Sequence, residues 1–343
     1  MANNNGELKR ARRKKKRWRP LLLVIGIILV LAAGSSLLFK KQLALFAFHT
    51  FLENGIKDTL EESYVPLDND NEQTDTAEAD DPDKPFSLLL IGTDQRADEP
   101  ARSDTLIFSV VRPKDNRMLL LSIPRDSYAT IVGYKGDVKS KINSAYAHGG
   151  VNMTIDTVEE LLDQPIQYYA TVNFKGLINI VDTLGGVKLP ITKDIVNKQK
   201  DHEKFTIEAN KPIYSGVEAL NYVRYREDSD FNRTARQREF IGQLFSRIKT
   251  FGNITKIDDV IEIGGNNLQT NMKPDKVIDL AEATFKVSPQ ITSYMLKGKD
   301  AMMKGVYYYV LYEDDVKFAN EVIGKWLNPD TNVMDLKIED ANK

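Results

Sequence analysis

The sequence contains no cysteine and only three histidines among its 343 residues. Without cysteine there is no disulfide scaffold, no thiol nucleophile and no thiolate metal site. The histidines, His49, His148 and His202, leave little material for a zinc site or a histidine-based triad. The phosphate-loop pattern GxxxxGK[ST] and a GxGxxG pattern after a strand are also missing. The reactive side chains that remain are carboxylates and arginines.

The small formal charge of −2 conceals an uneven distribution along the chain. Residues 1–41 carry eleven Lys and Arg side chains against one acidic side chain, so the remainder is strongly acidic. Residues 21–39 contain no charge, and a helix of that length just crosses a bilayer core of about 30 Å. Most of the basic residues precede this apolar run, which places residues 1–20 in the cytoplasm and the rest outside. The sequence therefore predicts a single-pass type II protein of the cell membrane, with a transmembrane signal anchor at 21–39.

Two other interpretations of this terminus are weaker. The small residues Ala32, Ala33 and Gly34 suit a signal peptidase, but the basic region is long and the apolar run exceeds that of a usual signal peptide. The basic run KRARRKKKRWR also suits a nucleic-acid-binding arm. Its position directly against the apolar run favours a topology signal, so we expect no nucleic-acid partner.

The composition divides the rest of the chain into a connecting region, 40–85, and one domain, 86–343. Residues 42–63 have apolar side chains at helical spacing, which predicts a helix leading away from the membrane. Residues 66–85 contain eight carboxylates, one lysine and almost nothing apolar, which predicts an acidic linker.

Strand-like and helix-like segments alternate through the domain. Short apolar runs bounded by turn or charged residues predict strands at 86–91, 106–111, 118–123, 166–172, 291–296 and 306–311. Helical periodicity predicts helices at 151–162, 174–184, 232–251, 274–285 and 314–327. This alternation is typical of an α/β domain with a central mixed β-sheet, at least partly parallel, flanked by helices on both faces.

Charged pairs stand at the boundaries of the first three predicted strands. The first strand runs into Asp94, the second opens near Asp104, and the third ends at Arg125-Asp126. A single Asp at a strand end is ordinary turn chemistry. Three boundaries that each carry an Arg and an Asp favour a ligand site at the edge of the sheet.

A denser cluster, residues 222–238, lies before and within the predicted helix 232–251. If Arg224 and Arg226 are extended, their side chains point the same way. Arg233, Arg236 and Gln237 then follow on the first turns of the helix, beside the positive end of its dipole. This arrangement is typical of an anion receptor. The neighbouring acidic residues would equally suit a salt-bridged surface, and composition alone does not decide between the two.

Six motifs in order give the chain its resemblance to the LytR–CpsA–Psr family. They are LLLIGTDQR, RSDTLIFSVV, LLSIPRDSY, KINSAYAHGG, YYATVNFKGLINIVDTLGGV and EALNYVRYREDSDFNRTARQREFI. Together with the basic tail, the single span and the outer domain, they extend the resemblance over nearly the whole chain. The chain most resembles the branch that attaches wall teichoic acids in Gram-positive bacteria.

This resemblance implies an α-β-α domain with phosphotransferase activity. Such an enzyme takes a glycopolymer from undecaprenyl pyrophosphate, joins it through a phosphodiester to the C6 hydroxyl of N-acetylmuramic acid in peptidoglycan, and releases undecaprenyl phosphate. Mg²⁺ or Mn²⁺ assists. Asp94 and Asp104 match the family's acidic pair near the metal and, with Arg125, are the candidate catalytic residues. The matches to its pyrophosphate-binding set are Arg125, Arg224, Arg226, Arg233, Arg236 and Gln237.

The sequence leaves two other functions open. The same site with water as the acceptor would hydrolyse polyprenyl pyrophosphates. A non-catalytic wall-polymer-binding or regulatory protein is the third possibility. A cytoplasmic segment of about twenty residues is too short for a folded DNA-binding module, which argues against a regulator.

Overall fold

The computed structural model describes residues 57–68, 81–94, 101–198, 204–225, 230–248 and 267–338. The predicted membrane span and most of the acidic linker fall outside these ranges, and so does Arg226. Among the helices within the described ranges, none combines the length and the apolar character needed to cross a membrane.

Twelve strands are present in the described part of the chain. They are β1 (Phe86–Asp94), β2 (Arg102–Arg112), β3 (Arg117–Ile123), β4 (Tyr128–Thr130), β5 (Lys139–Lys141), β6 (Tyr168–Asn173), β7 (Ile195–Asn197), β8 (Phe205–Ile207), β9 (Leu268–Thr270), β10 (Gln290–Met295), β11 (Gly298–Met303) and β12 (Val306–Leu311). The same ranges contain helices α1 (Lys57–Ser63), α2 (Ser144–Leu162), α3 (Phe174–Thr183), α4 (Gly216–Arg224), α5 (Asp230–Ile248), α6 (Pro274–Lys286) and α7 (Glu313–Leu327), and a 3₁₀ turn at Val333–Leu336.

Six strands form one mixed sheet in the order β10-β3-β2-β1-β6-β9. Strand β1 is parallel to β6, and β3 is parallel to β10. Strand β2 is antiparallel to both β1 and β3. Strands β1, β3, β6 and β10 therefore end at the same edge of the sheet, which we call the carboxyl edge. The predicted mixed sheet is confirmed, and its carboxyl edge gathers residues that are far apart in sequence.

Helices cover both faces of this sheet, as the sequence predicts. On one face, Val158 of α2 and Ile323 of α7 are fully buried against the sheet together with Phe108 and Leu121. On the other face, side chains of α5 and α6 pack on Ile107 and Leu120. Full burial of each large apolar side chain contributes roughly 1.5–3 kcal/mol. These two apolar layers hold the carboxyl edge rigidly in place.

One local prediction is wrong. Arg224 is the last residue of helix α4 and is not extended. The reason is a capping box: the Ser215 hydroxyl accepts from the Glu218 amide, while the Glu218 carboxylate accepts from the Ser215 amide. The period-2 argument for Arg224 and Arg226 therefore does not hold for Arg224, and Arg226 lies outside the described residues.

Residues before Phe86, where the sequence predicts the start of the domain, also pack on it. Leu60 of α1 is only 5% exposed, and Tyr64 pairs with Thr270 of β9. The Tyr169 hydroxyl donates a hydrogen bond to the Val65 carbonyl at 2.7 Å. The folded unit thus includes part of the region between the predicted span and the domain.

Candidate functional site at the carboxyl edge of the sheet

A β-bulge presents Asp104 at the carboxyl edge. The β1–β2 ladder pairs Gly92 with Thr105 and then Thr93 with Ser103, so Asp104 is an extra residue in β2. A bulge bends its strand and redirects a side chain. The Asp104 carboxylate accepts a hydrogen bond from Arg125 Nη1 at 2.5 Å, and both side chains are largely buried.

Arg125 follows the end of β3 and begins a run of alternating charges. Its Nε lies 3.4 Å from Asp126 Oδ2, and Lys141 Nζ lies 2.7 Å from Asp126 Oδ1. Burial alone would raise the pKa of Asp126. The hydrogen bond from Lys141 and the positive charges of Arg125, Lys141 and Arg233 outweigh burial, so its pKa lies below the usual 3.8. The Asp126 carboxylate is therefore ionised at neutral pH, and it stands in a row of charged side chains, Asp104–Arg125–Asp126–Lys141.

Helices α3 and α4 place Arg224 beside this row. Helix α3 starts directly after β6, where the Asn173 side chain accepts from the Gly176 amide at 2.8 Å. A Cβ on Gly216, at the start of α4, would lie 2.2 Å from the Ile178 carbonyl oxygen, so the two helices meet at backbone contact. The Arg224 guanidinium lies over the Phe174 ring at 4.6 Å, which fixes its plane.

A narrow cleft joins these elements. Its walls are formed by Gly92, Asp104, Thr105, Val172, Asn173, Phe174, Leu177, Leu220, Val223, Arg224, Arg233 and Gln237. Its volume of about 40 Å³ is small beside the roughly 300–1,000 Å³ of pockets that enclose a whole ligand. The cleft therefore presents a carboxylate and two guanidinium groups at its walls, and a larger anion would have to lie at its mouth.

Helix α5 contributes its first turns, as its sequence spacing predicts. Arg233 and Gln237 are only 3% and 7% exposed and both line the cleft. Arg236 has a different position: its guanidinium donates to the carbonyls of Tyr222 at 3.0 Å and Tyr225 at 2.5 Å. Arg236 thus joins α5 to the end of α4.

The structure brings together most of the residues predicted for the site. Asp104, Arg224, Arg233 and Gln237 share the cleft, and Arg125 contacts Asp104. Asp94 ends β1, two residues beyond Gly92, and pairs with Arg102 in the ladder. Neither Asp94 nor Arg236 lines the cleft.

The sequence predicted no role for three charged residues near the site, although it placed Asp126 at a strand boundary and Arg238 within the cluster 222–238. Asp126 stands beside Arg125 in the motif LLSIPRDSY, so adjacency was its available signal. Lys141 opens the motif KINSAYAHGG, where nothing in the spacing links it to Asp126. Arg238 donates to the Ser122 hydroxyl of β3 at 3.1 Å, and burial lowers the pKa of its guanidinium.

The described ranges contain no group of three or more His, Asp or Glu side chains that could hold a metal by themselves. Two carboxylates, Asp94 and Asp104, end or open neighbouring strands at the carboxyl edge. Mg²⁺ is usually held by one or two carboxylates and completes its shell with water and phosphate oxygens. Two carboxylates could hold such an ion only jointly with a phosphate-containing ligand.

Comparison with known proteins gives this site a context. A model of the LytR_cpsA_psr family matches residues 51–322 of the chain. A relative from Bacillus licheniformis, named polyisoprenyl-teichoic acid--peptidoglycan teichoic acid transferase TagU, is 32% identical over 324 residues. That similarity covers 93% of this chain and 99% of the relative.

Solved structures agree with the same fold. TagT bound to LIIa-WTA superposes with a TM-score of 0.60 at 29% identity, covering 77% of this chain and 99% of that one. An Enterococcus faecalis protein described as a transcriptional regulator superposes with a TM-score of 0.61 at 30% identity. It covers 74% of this chain and 91% of its own.

Proposed function

The chain belongs to the LytR–CpsA–Psr family, and from this premise we propose that it transfers a teichoic acid from a polyisoprenyl pyrophosphate carrier to peptidoglycan. The observation that carries the proposal is the contact between Asp104 and Arg125 beside a cleft lined by Arg224, Arg233 and Gln237. Guanidinium groups held in fixed planes suit the oxygens of a diphosphate. The name of the Bacillus licheniformis relative and the ligand of TagT support this choice of substrate.

The proposed reaction is a phosphoryl transfer. The C6 hydroxyl of N-acetylmuramic acid attacks the phosphorus that bears the polymer, and the bond from that phosphorus to the bridging oxygen breaks. The polymer keeps one phosphate as a phosphodiester, and undecaprenyl phosphate leaves with the other. The hydroxyl proton passes to a carboxylate. Such a reaction depends mainly on positioning and on neutralising charge, which the arginines provide.

The two carboxylates have separable roles in this scheme. Asp104 already accepts from Arg125 at 2.5 Å, so it orients that guanidinium. We assign Asp94, which ends β1 at the same edge of the sheet, to accept the hydroxyl proton. Asp94 and Asp104 would hold Mg²⁺ or Mn²⁺ together with the donor, and the ion would neutralise charge on the phosphate oxygens.

The proposed location follows from the basic terminus and the uncharged run at 21–39. Residues 1–20 would be cytoplasmic, and the domain would lie on the outer face of the cytoplasmic membrane. The donor is confined to the same bilayer by its polyprenyl chain. Anchoring the enzyme there keeps it close to its donor.

The test uses full-length protein in detergent, a lipid-linked pyrophosphoryl glycan and a peptidoglycan oligomer, with products followed by mass spectrometry. We expect a phosphodiester-linked product from the wild type and a yield lower by about 100-fold for Asp104→Asn, because Arg125 would lose the contact that orients it. Asp115→Asn is the matched control, because Asp115 also accepts from an arginine at 2.5 Å but lies at the opposite edge.

The other outcomes separate the remaining functions. Carrier release without a linked product would mean that water is the acceptor and that the protein is a hydrolase. Donor binding without turnover, equal in wild type and Asp104→Asn, would favour a non-catalytic binding or regulatory protein. Repeating the assay with a chelator, and then with Mg²⁺ or Mn²⁺ restored, tests the metal.

A further inference from the structure

Asp126 is a buried carboxylate to which the proposed reaction assigns no role. It is 7% exposed and lies between two cations, with Lys141 Nζ at 2.7 Å and Arg125 Nε at 3.4 Å. Burying a charge is costly even when it is paired, so such networks are weak evidence for stability alone. Its position beside Arg125 points to a role in orienting that guanidinium.

The backbone around Asp126 is fixed from two sides. The amides of Ile142 and Asn143 donate to the carbonyls of Ser127 and Arg125, at 2.8 and 3.2 Å. On the other side, the Tyr309 amide of β12 donates to the Asp126 carbonyl at 2.9 Å. The main chain is thus held, and the plane of the Arg125 guanidinium is left to be set by side chains.

Two carboxylates face different edges of that guanidinium. Asp104 accepts from Nη1, and Asp126 lies opposite Nε. Within the described part of the chain, Nε makes no hydrogen bond, and the Asp104 contact is the one hydrogen bond of the Arg125 side chain. The attraction of Asp126 therefore orients Arg125 while leaving donors for an anion.

Lys141 in turn fixes Asp126. Its ammonium group donates to Asp126 and also lies 5.6 Å from the Tyr307 ring and 6.0 Å from the Tyr308 ring, both in β12. These contacts hold one long, flexible side chain in a single place. The row of charges consequently runs from the ribbon β11–β12 to the cleft.

We propose that Asp126 and Lys141 are positioning residues that hold the Arg125 guanidinium in the plane required for binding the diphosphate of the donor. The proposal deepens the proposed function and rests on it. Asp126 acts through Arg125 and need not touch the donor. Neutralising either Asp126 or Lys141 would therefore disorder Arg125 without removing it.

The first measurement needs no donor. The Nε–H signal of Arg125, assigned with Arg125→Lys, is followed by NMR in full-length protein in detergent. We expect a sharp, dispersed signal in the wild type that broadens or shifts to the position of solvent-exposed arginines in Asp126→Asn and Lys141→Met. Glu218→Gln, which removes an ion pair of 2.6 Å at the start of α4, is the matched control and should leave the signal unchanged.

The second measurement is binding of a short polyprenyl pyrophosphate by calorimetry in a double-mutant cycle. Asp126→Asn should weaken binding about 10- to 100-fold in the wild-type background. If it acts through Arg125, it should change binding little when Arg125 is already Ala. Equal weakening in both backgrounds would overturn the proposal, as would an unchanged Nε–H signal. A different combination would refute the proposed function alone. In that case the wild type binds no pyrophosphate, while the Nε–H signal of Arg125 is still lost in Asp126→Asn and Lys141→Met.

Discussion

Two arginines at opposite edges of the sheet, Arg112 buried and Arg125 partly buried, differ in how many of their donors have acceptors. Arg112 ends β2 and is 3% exposed. Its Nε donates to Asp115, and its two Nη atoms donate to the carbonyls of Trp326, Asn328, Pro329 and Thr331. Arg125, at the carboxyl edge, makes one hydrogen bond to Asp104 and has a buried Nε without one in the described part of the chain.

The difference separates a structural arginine from a binding one. Each nitrogen of Arg112 has a protein acceptor, so the side chain fixes the end of α7 and has nothing left for a ligand. Arg125 is oriented by carboxylates and retains donors. Unused donors on a buried guanidinium are costly for folding alone, and they are useful when an anion supplies the missing acceptors.

Replacing Arg112 by Met should give the largest effect on stability. The change leaves four carbonyls and Asp115 without their donor, and breaking such a buried network costs about 3–5 kcal/mol. Urea unfolding measures the loss, and activity per folded molecule should stay near the wild-type value. A fall in activity without a fall in stability would contradict the structural role.

Replacing Arg125 by Met should show the reverse pattern. We expect product formation to fall by about 10²–10³-fold, as for loss of one preorganised donor at a developing charge. The unfolding midpoint should move less than in Arg112→Met. Arg125→Lys keeps the charge but not the fork, so it should recover only part of the activity.

The smallest expected effect is the pH dependence of stability at Asp126, the carboxylate beside Arg125. Because the pKa of Asp126 lies below 3.8 in the folded protein, its carboxylate stabilises the fold above that pH. The contribution is lost as the pH falls through the folded pKa. Asp126→Asn should cost about 1–3 kcal/mol at pH 7, with the gap to the wild type closing below about pH 4.

Asp156 is a control, because its effect on stability should change with pH in the opposite direction. Asp156 on α2 is exposed, and partial desolvation raises its pKa, so ionising it costs the fold a little stability as the pH rises. Asp156→Asn should therefore not weaken the fold at neutral pH. Unfolding curves between pH 3 and 7 test both variants, and a constant gap for Asp126→Asn would contradict the assignment.

The strands and the long helices were predictable because their signals are local. Apolar runs of six residues indicated β1, β2 and β3, and helical spacing put Arg233 and Gln237 on one helix. The bulge at Asp104 was not predictable, because it depends on how two strands align and not on either strand alone. The contact between Asp126 and Lys141 is similarly invisible, since the topology of the sheet and its ribbons brings them together.

The error at Arg224 has a different cause, because a local signal was present and was not used. Ser215 and Glu218 have the spacing of a capping box, which predicts a helix starting at Gly216. Residues 216–224 therefore have helical spacing, and the period-2 spacing of Arg224 and Arg226 carries no information about an extended segment. Positions of charged residues are informative only after the element that carries them is known.

Gly216 has no side chain, but its close contact with Ile178 helps to determine where Arg224 lies in the cleft. Helix α4 works as a lever: its fulcrum is the backbone contact with Ile178, and Arg224 sits at the far end, about 12 Å away along the axis. A methyl group at position 216 would tilt helix α4. The Arg224 guanidinium would then move farther than the start of the helix does. Mutations that alter how this enzyme handles its donor could therefore arise where no polar atom, charge or ligand is found.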